Sequence, residues 1–187
     1  MVSTESKKYL LKLSRNILNA FVKGQELPEA KNTTKELEET KASFVTLEED
    51  GKLRGCIGNI IATGSLYASV IDNTINAASR DPRFEPVREN ELDKIKIKIS
   101  ILTEPKELKF EDSDELLEKI EKGRHGVILS DGIHSATFLP SVWEMIESKE
   151  MFLTQLCFKA GMLPDAWKKK KLKIELYEAE GFGEQLI

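Results

Sequence analysis

Two Asp-Gly dipeptides, Asp50-Gly51 and Asp131-Gly132, each lie between short apolar stretches, and they constrain the architecture more than any other feature of the chain. Glycine accepts the positive φ that a two-residue hairpin turn demands, so Asp-Gly between alternating apolar runs marks a β-hairpin. Residues 42–49 and 52–61 are predicted as the first strand pair, and residues 125–130 and 133–139 as the second. Each hairpin is followed by a helix and then another strand. After the first, Ser65 can cap a helix whose apolar stripe is Tyr67, Val70, Ile71, Ile75 and Ala78. Ile95, Ile97, Ile99 and Ile101 then alternate with Lys94, Lys96 and Lys98, which reads as a strand with one buried and one wet face. After the second hairpin, residues 149–160 read as a helix with Phe152, Leu153, Leu156 and Cys157 inward. Leu172, Ile174, Leu176 and Tyr177 mark the final strand.

A helix over residues 7–22, with Leu10, Leu13, Ile17 and Phe21 at helical spacing, precedes the first repeat and stops at Gly24. Residues 24–41 read as a long surface connection with room for one short helical turn. A second short helix, residues 114–122, stops at Gly123. The expected fold is therefore α+β: two strand-strand-helix-strand repeats with mainly antiparallel sheet, plus an N-terminal helix. Repetition of element order and turn chemistry points to a structural duplication. The 187 residues suit one domain, 1–187, with two subdomains, the core repeat at about 42–103 and the second at about 125–180.

Several function classes are disfavoured. With 40% hydrophobic and 32% charged residues the chain is globular rather than disordered. No apolar run approaches the length of a membrane span, and the polar first residues lack the apolar core of a secretory signal. Two cysteines, Cys56 and Cys157, allow at most one disulfide, so reduced thiols in a cytoplasmic protein are the simpler reading. With only two histidines in unrelated spacing they make no recognisable zinc site, and no cofactor is expected. A net charge of −4 argues against nucleic acid as partner, and the one basic run, residues 168–171, reads as solvated surface.

The unusual strand is Leu53-Arg54-Gly55-Cys56-Ile57-Gly58. Simple alternation puts Leu53, Gly55 and Ile57 on one face and Arg54, Cys56 and Gly58 on the other. A guanidinium beside a thiol favours the thiolate, the form needed by a nucleophile. Two glycines in one strand mark a bulge or a close approach, by a ligand or by a second backbone. Arg80, Asp81, Arg83 and Arg88 cluster in the loop after the first repeat's helix, where arginines can fork onto a carboxylate or phosphate or merely cap the helix end. His134 lies three residues before Thr137, which matches Cys56 in its spacing from the turn. It is a candidate base for Cys56 if the halves pack about a pseudo-twofold, and otherwise a hydrogen-bonded strand histidine. Cys157 reads as core packing. Trp143 and Trp167 are expected to cover a sheet edge.

The hexapeptide 53–58 resembles the hallmark of the AMME-syndrome chromosomal-region protein family, whose prokaryotic members are called AmmeMemoRadiSam system protein A. The likeness extends to Arg80-Asp81-Pro82-Arg83-Phe84, to Ala136-Thr137-Phe138-Leu139-Pro140 and to Lys159-Ala160-Gly161. The resemblance implies a compact α+β fold with a repeated strand-strand-helix-strand unit. It also implies protein partners, a Memo-like protein and a radical SAM enzyme, or service to transcription, replication, repair or translation. Two functional expectations follow. The chain is an enzyme or enzyme component using Cys56 with Arg54 and His134, with Leu53, Gly55, Ile57, Gly58, Arg80, Asp81 and Arg83 binding the ligand. Alternatively it is a binding or adaptor protein whose glycine-rich strand shapes a recognition groove, a third reading being a tight packing element.

Overall fold

The structure, a computed structural model, describes residues 2–31, 33–169 and 171–184. The chain divides into two compact units, one formed by Met1–Leu102 with Glu180–Ile187 and the other by Thr103–Ala179.

The first unit begins with helix α1, Thr4–Val22. It starts earlier than its apolar stripe because Ser3 caps it, accepting a hydrogen bond from the Ser6 amide at 3.2 Å. Leu10, Ile17 and Leu18 are fully buried, and Gly24 ends the helix at φ +64°. The following connection is pinned by one helical turn, α2 (Lys35–Glu38), through buried Leu37. Strands β1 (Ser43–Glu49) and β2 (Lys52–Gly58) form the first hairpin. Its turn residues Asp50 and Gly51 both have positive φ, 51° and 74°, as a primed two-residue turn requires. Helix α3 (Leu66–Ser79) and strand β3 (Ile95–Leu102) complete the repeat in the antiparallel order β2-β1-β3. The isoleucines at 95, 97 and 99 join Val45, Leu47, Val70 and Ala77 in the core, with the intervening lysines exposed.

The second unit holds β4 (Lys106–Glu107), α4 (Ser113–Lys119), β5 (His125–Ser130), β6 (Ser135–Phe138), α5 (Lys149–Lys159), α6 (Ala166–Lys169) and β7. The last strand, β7, is Lys173–Gly183, and its closing residues from Glu180 belong to the first unit. The order β6-β5-β7 repeats that of the first unit, and β4 pairs with β7. Helix α4 stops three residues short of its expected end, because Ile120 turns to extended backbone and buries its side chain. The second hairpin turns one residue later than expected. The Asp131 amide donates to the His134 carbonyl, so Gly132 and Ile133 are the central residues, with φ +93° at Gly132. A carboxylate oxygen of Asp131 receives the amides of Ile133 and His134, which favours this placement over an Asp-Gly centre.

Trp143 meets the start of β5 through its indole N–H, and both tryptophans lie inside the second core. Trp143 and Trp167 are core residues, 3% exposed each. Trp143 stacks on Phe152 at 3.7 Å between ring centroids, and its indole N–H donates to the His125 carbonyl at 2.7 Å. Of the lysine run, Lys168 lies over the Trp167 ring, Lys169 pairs with Asp165, and Lys170 lies outside the described residues. No helix among the described residues is long and apolar enough to cross a membrane.

Gly126 in β5 lies against the face of the Tyr177 ring, whose hydroxyl bonds Thr137 and the Phe138 carbonyl. A methyl group at Gly126 would collide with that ring. Gly126→Ala is expected to cost about 1–3 kcal/mol as an overpacked core site, read as a lowered urea midpoint with an unchanged slope.

Candidate functional site

β2 is the outer strand of the first unit, and its pairing with β1 is interrupted. Lys52 faces Glu49 and Leu53 faces Glu48, yet Gly55 is the residue opposite Leu47, so Arg54 is the extra residue of a β-bulge. The simple alternation is therefore corrected. Leu53 shares its face with Glu48 and is 42% exposed, while Gly55 and Ile57 face the core side with Leu47 and Val45. Cys56 sits opposite Thr46, whose hydroxyl donates to its sulfur at 3.2 Å.

Both strand glycines serve close packing within the unit. A methyl at Gly55 would run into the Ala77 carbonyl oxygen of α3, and one at Gly58 into the Phe44 ring and the Ser43 carbonyl. The approach is thus by a second backbone, and the space left by the missing side chains at 55 and 58 is filled by protein.

The loop after α3 comes up against this strand. Asp81, only 4% exposed, accepts the Cys56 amide on Oδ2 at 2.8 Å. Arg83 closes a fork on the same carboxylate, from Nε at 2.9 Å and Nη2 at 2.7 Å. These guanidinium bonds, joined by the Cys56 and Arg83 amides and opposed by burial, hold the Asp81 carboxyl far below the usual carboxylate range. The bonds to Asp81 in turn push the Arg83 guanidinium pKa up. Arg54 forms its own fork, on Glu91 at 2.7 and 3.2 Å, and touches the Pro86 carbonyl at 3.4 Å. Those bonds lower the Glu91 carboxyl. Between the forks lies Phe84, its ring centroid 5.9 Å from the Arg54 guanidinium carbon and 5.5 Å from that of Arg83. Arg80 closes α3 as its C-cap and is exposed.

The structure thus brings Arg54, Cys56, Asp81 and Arg83 together, with the Arg54 charge committed to Glu91 and with Arg83 as the cation that Cys56 meets. His134 belongs to the other unit. Its ring Nδ1 is 3.3 Å from Asp131 Oδ2, and its side chain is half exposed beside Gly161. Cys157 is fully buried in the second core, which pushes its thiol pKa up. Two residues of the site escaped the sequence reading. Glu91 sits in a polar run without any motif. Thr46 faces Cys56 only because of the bulge; an uninterrupted hairpin from Asp50-Gly51 pairs Cys56 with Val45. Among the described residues no cluster of His, Cys, Asp or Glu is arranged to hold a metal ion.

Asp81→Asn is expected to lower stability by about 1–3 kcal/mol at neutral pH, the cost of weakening buried charge-assisted bonds. The folded-state pKa is depressed, so the stabilisation is fully present above the unfolded value of about 4 and is lost as pH falls below it. Urea unfolding of both proteins from neutral to acid pH should show a constant gap that closes under acid.

The family model for AMMECR1 matches residues 11–182. A protein of Methanosarcina barkeri is 40% identical over 180 residues, covering 94% of this chain and 88% of that protein. One of Methanopyrus kandleri is 38% identical over 192 residues, covering 98% of this chain and 91% of that one. The crystal structure of the uncharacterised protein PH0010 from Pyrococcus horikoshii superposes with a TM-score of 0.90 at 34% identity, over 99% of this chain and 94% of that one. With the motifs in place, the fold matched and nearly the whole length covered, the chain belongs to the AMMECR1 family.

Proposed function

We propose that the chain is a non-catalytic recognition module, and that the surface built from the 53–58 strand and the 80–91 loop receives a protein partner. The observation that carries this reading is the closure of the charges around Cys56. Arg54 is forked onto Glu91, Asp81 is shared by Arg83 and the Cys56 amide, and the sulfur receives the Thr46 hydroxyl. A nucleophile needs a base on its proton or a cation free to hold its anion; here the charged groups are engaged with each other. Mutually braced side chains suit binding, because little freedom is lost when a partner docks. The accessible surface includes Leu53, Arg80, Arg83 and Arg88, half-buried Phe84 and the acidic Glu85 and Glu89, and its apolar and arginine side chains are of the kind enriched at interfaces. The Memo-like protein and the radical SAM enzyme are the candidate partners that the family resemblance supplies.

A second reading, thiol chemistry at Cys56, draws on one observation: the sulfur is not fully buried and lies within electrostatic reach of Arg83. Two measurements separate the readings. Iodoacetamide at pH 6 should modify Cys56 no faster than a thiol in an unstructured peptide, and Cys157 only after unfolding. A photo-crosslinker at Leu53, used in cells, should give a discrete protein adduct that survives Cys56→Ser and drops at least about tenfold with Phe84→Ala, as for an interface anchor. Rapid alkylation at pH 6, or loss of the adduct in Cys56→Ser with normal folding, would replace recognition by thiol chemistry.

A further inference from the structure

Each unit ends its sheet in an outer strand, and each meets the same hazard with a charge of opposite sign. In the first unit the rungs from the turn run Glu49 with Lys52, Glu48 with Leu53, Leu47 with Gly55, then Thr46 with Cys56. In the second they run Asp131 with His134, Ser130 with Ser135, Leu129 with Ala136, then Ile128 with Thr137. Cys56 and Thr137 therefore occupy the same rung. The backbone of that rung is met, in both units, by a charged side chain from the end of the helix that follows the hairpin. Asp81, next after the C-cap of α3, accepts the Cys56 N–H at 2.8 Å. Lys159, the last residue of α5, donates to the Thr137 carbonyl at 2.9 Å.

An outer strand with free backbone groups is a template for another strand, and charges placed on it are a common defence. Lys159 is exposed and its ammonium lies 5.0 Å from the Phe138 ring centroid, so water is an available partner for it. Its position on a strand carbonyl is therefore not forced by burial. We propose that Asp81 and Lys159 are edge guards, which keep β2 and β6 from adding a strand of a second copy of this chain. The partner excluded is chemically defined: an extended segment whose N–H would take the Thr137 carbonyl, or whose C=O would take the Cys56 amide. Engaging one backbone group in the middle of each strand breaks the run of bonds that strand addition needs.

The test uses the full chain and light-scattering mass after size exclusion, from about 10 µM to about 1 mM, the range in which unguarded edges associate. Lys159→Met and Asp81→Ala should each self-associate at a concentration at least about tenfold below that of the parent protein, with Lys159→Arg matching the parent. Ser135, two residues before Thr137, turns its amide the same way. A proline there removes an outward donor without breaking the hairpin ladder, so adding Ser135→Pro to Lys159→Met should restore the parent's mass. Parent-like mass in both guard variants throughout the range, or association that persists with Ser135→Pro, overturns the proposal. Thermal melts report folding, and if Asp81→Ala does not fold, the exposed Lys159 arm decides alone.

Discussion

A carboxylate taken out of water must find charge and hydrogen bonds on the spot, and Asp81 finds both. Arg83 supplies the charge and the Cys56 amide supplies a strand. Because that one group bonds to its own loop and to β2 at once, the end of α3 is tied to the outer strand. The rest of the loop is then fixed in order. Phe84 comes to lie between two guanidiniums, Pro86 reaches Arg54, and Glu91 closes on it. Among the described residues, the Asp81 carboxylate is the group whose hydrogen bond holds residues 81–84 against Cys56.

The family peptides meet in pairs, each inside one unit. The hexapeptide 53–58 and the Arg-Asp-Pro-Arg-Phe loop share the contacts just described. In the second unit the peptides 136–140 and 159–161 meet through the Lys159 bond to Thr137 and its contact with Phe138. Segments distant in sequence thus serve a common task, holding the end of a helix to the outer strand of its own sheet.

Much of this was legible in one dimension. Hairpins, helices and the element order of each repeat followed from turn chemistry and period, because glycine at positive φ and buried isoleucines at every second position leave few alternatives. The strand-and-loop partnership was legible only as a cluster of arginines. Three things were not. The bulge at Arg54 shifts the partners of Gly55, Cys56, Ile57 and Gly58 by one residue, and the two glycines mark a bulge or a close approach without giving its position. Which acid an arginine chooses depends on the loop path, so Glu91 looked like any surface glutamate. The Asp131 carboxylate captures two amides and moves its turn by a residue, a competition between side chain and backbone that a dipeptide rule does not contain. The glycines at 55 and 58 were correctly seen as points of close approach, but whether a ligand or a helix approaches is a question of tertiary packing.

The last strand carries a consequence for how such a chain can be divided. Residues 173–179 complete one unit and residues 180–183 the other, where Phe182 enters the core and Glu184 receives the fork of Arg15 and the Ile97 amide. A gene severed after codon 102 would leave Arg15 holding only the carbonyls of Leu92 and Ile95. Only the second unit, Thr103–Ala179, is a contiguous cassette, and it interrupts the first, so shuffling or fusion that respects the first unit has to move the whole reading frame or graft the final segment back onto its distant beginning.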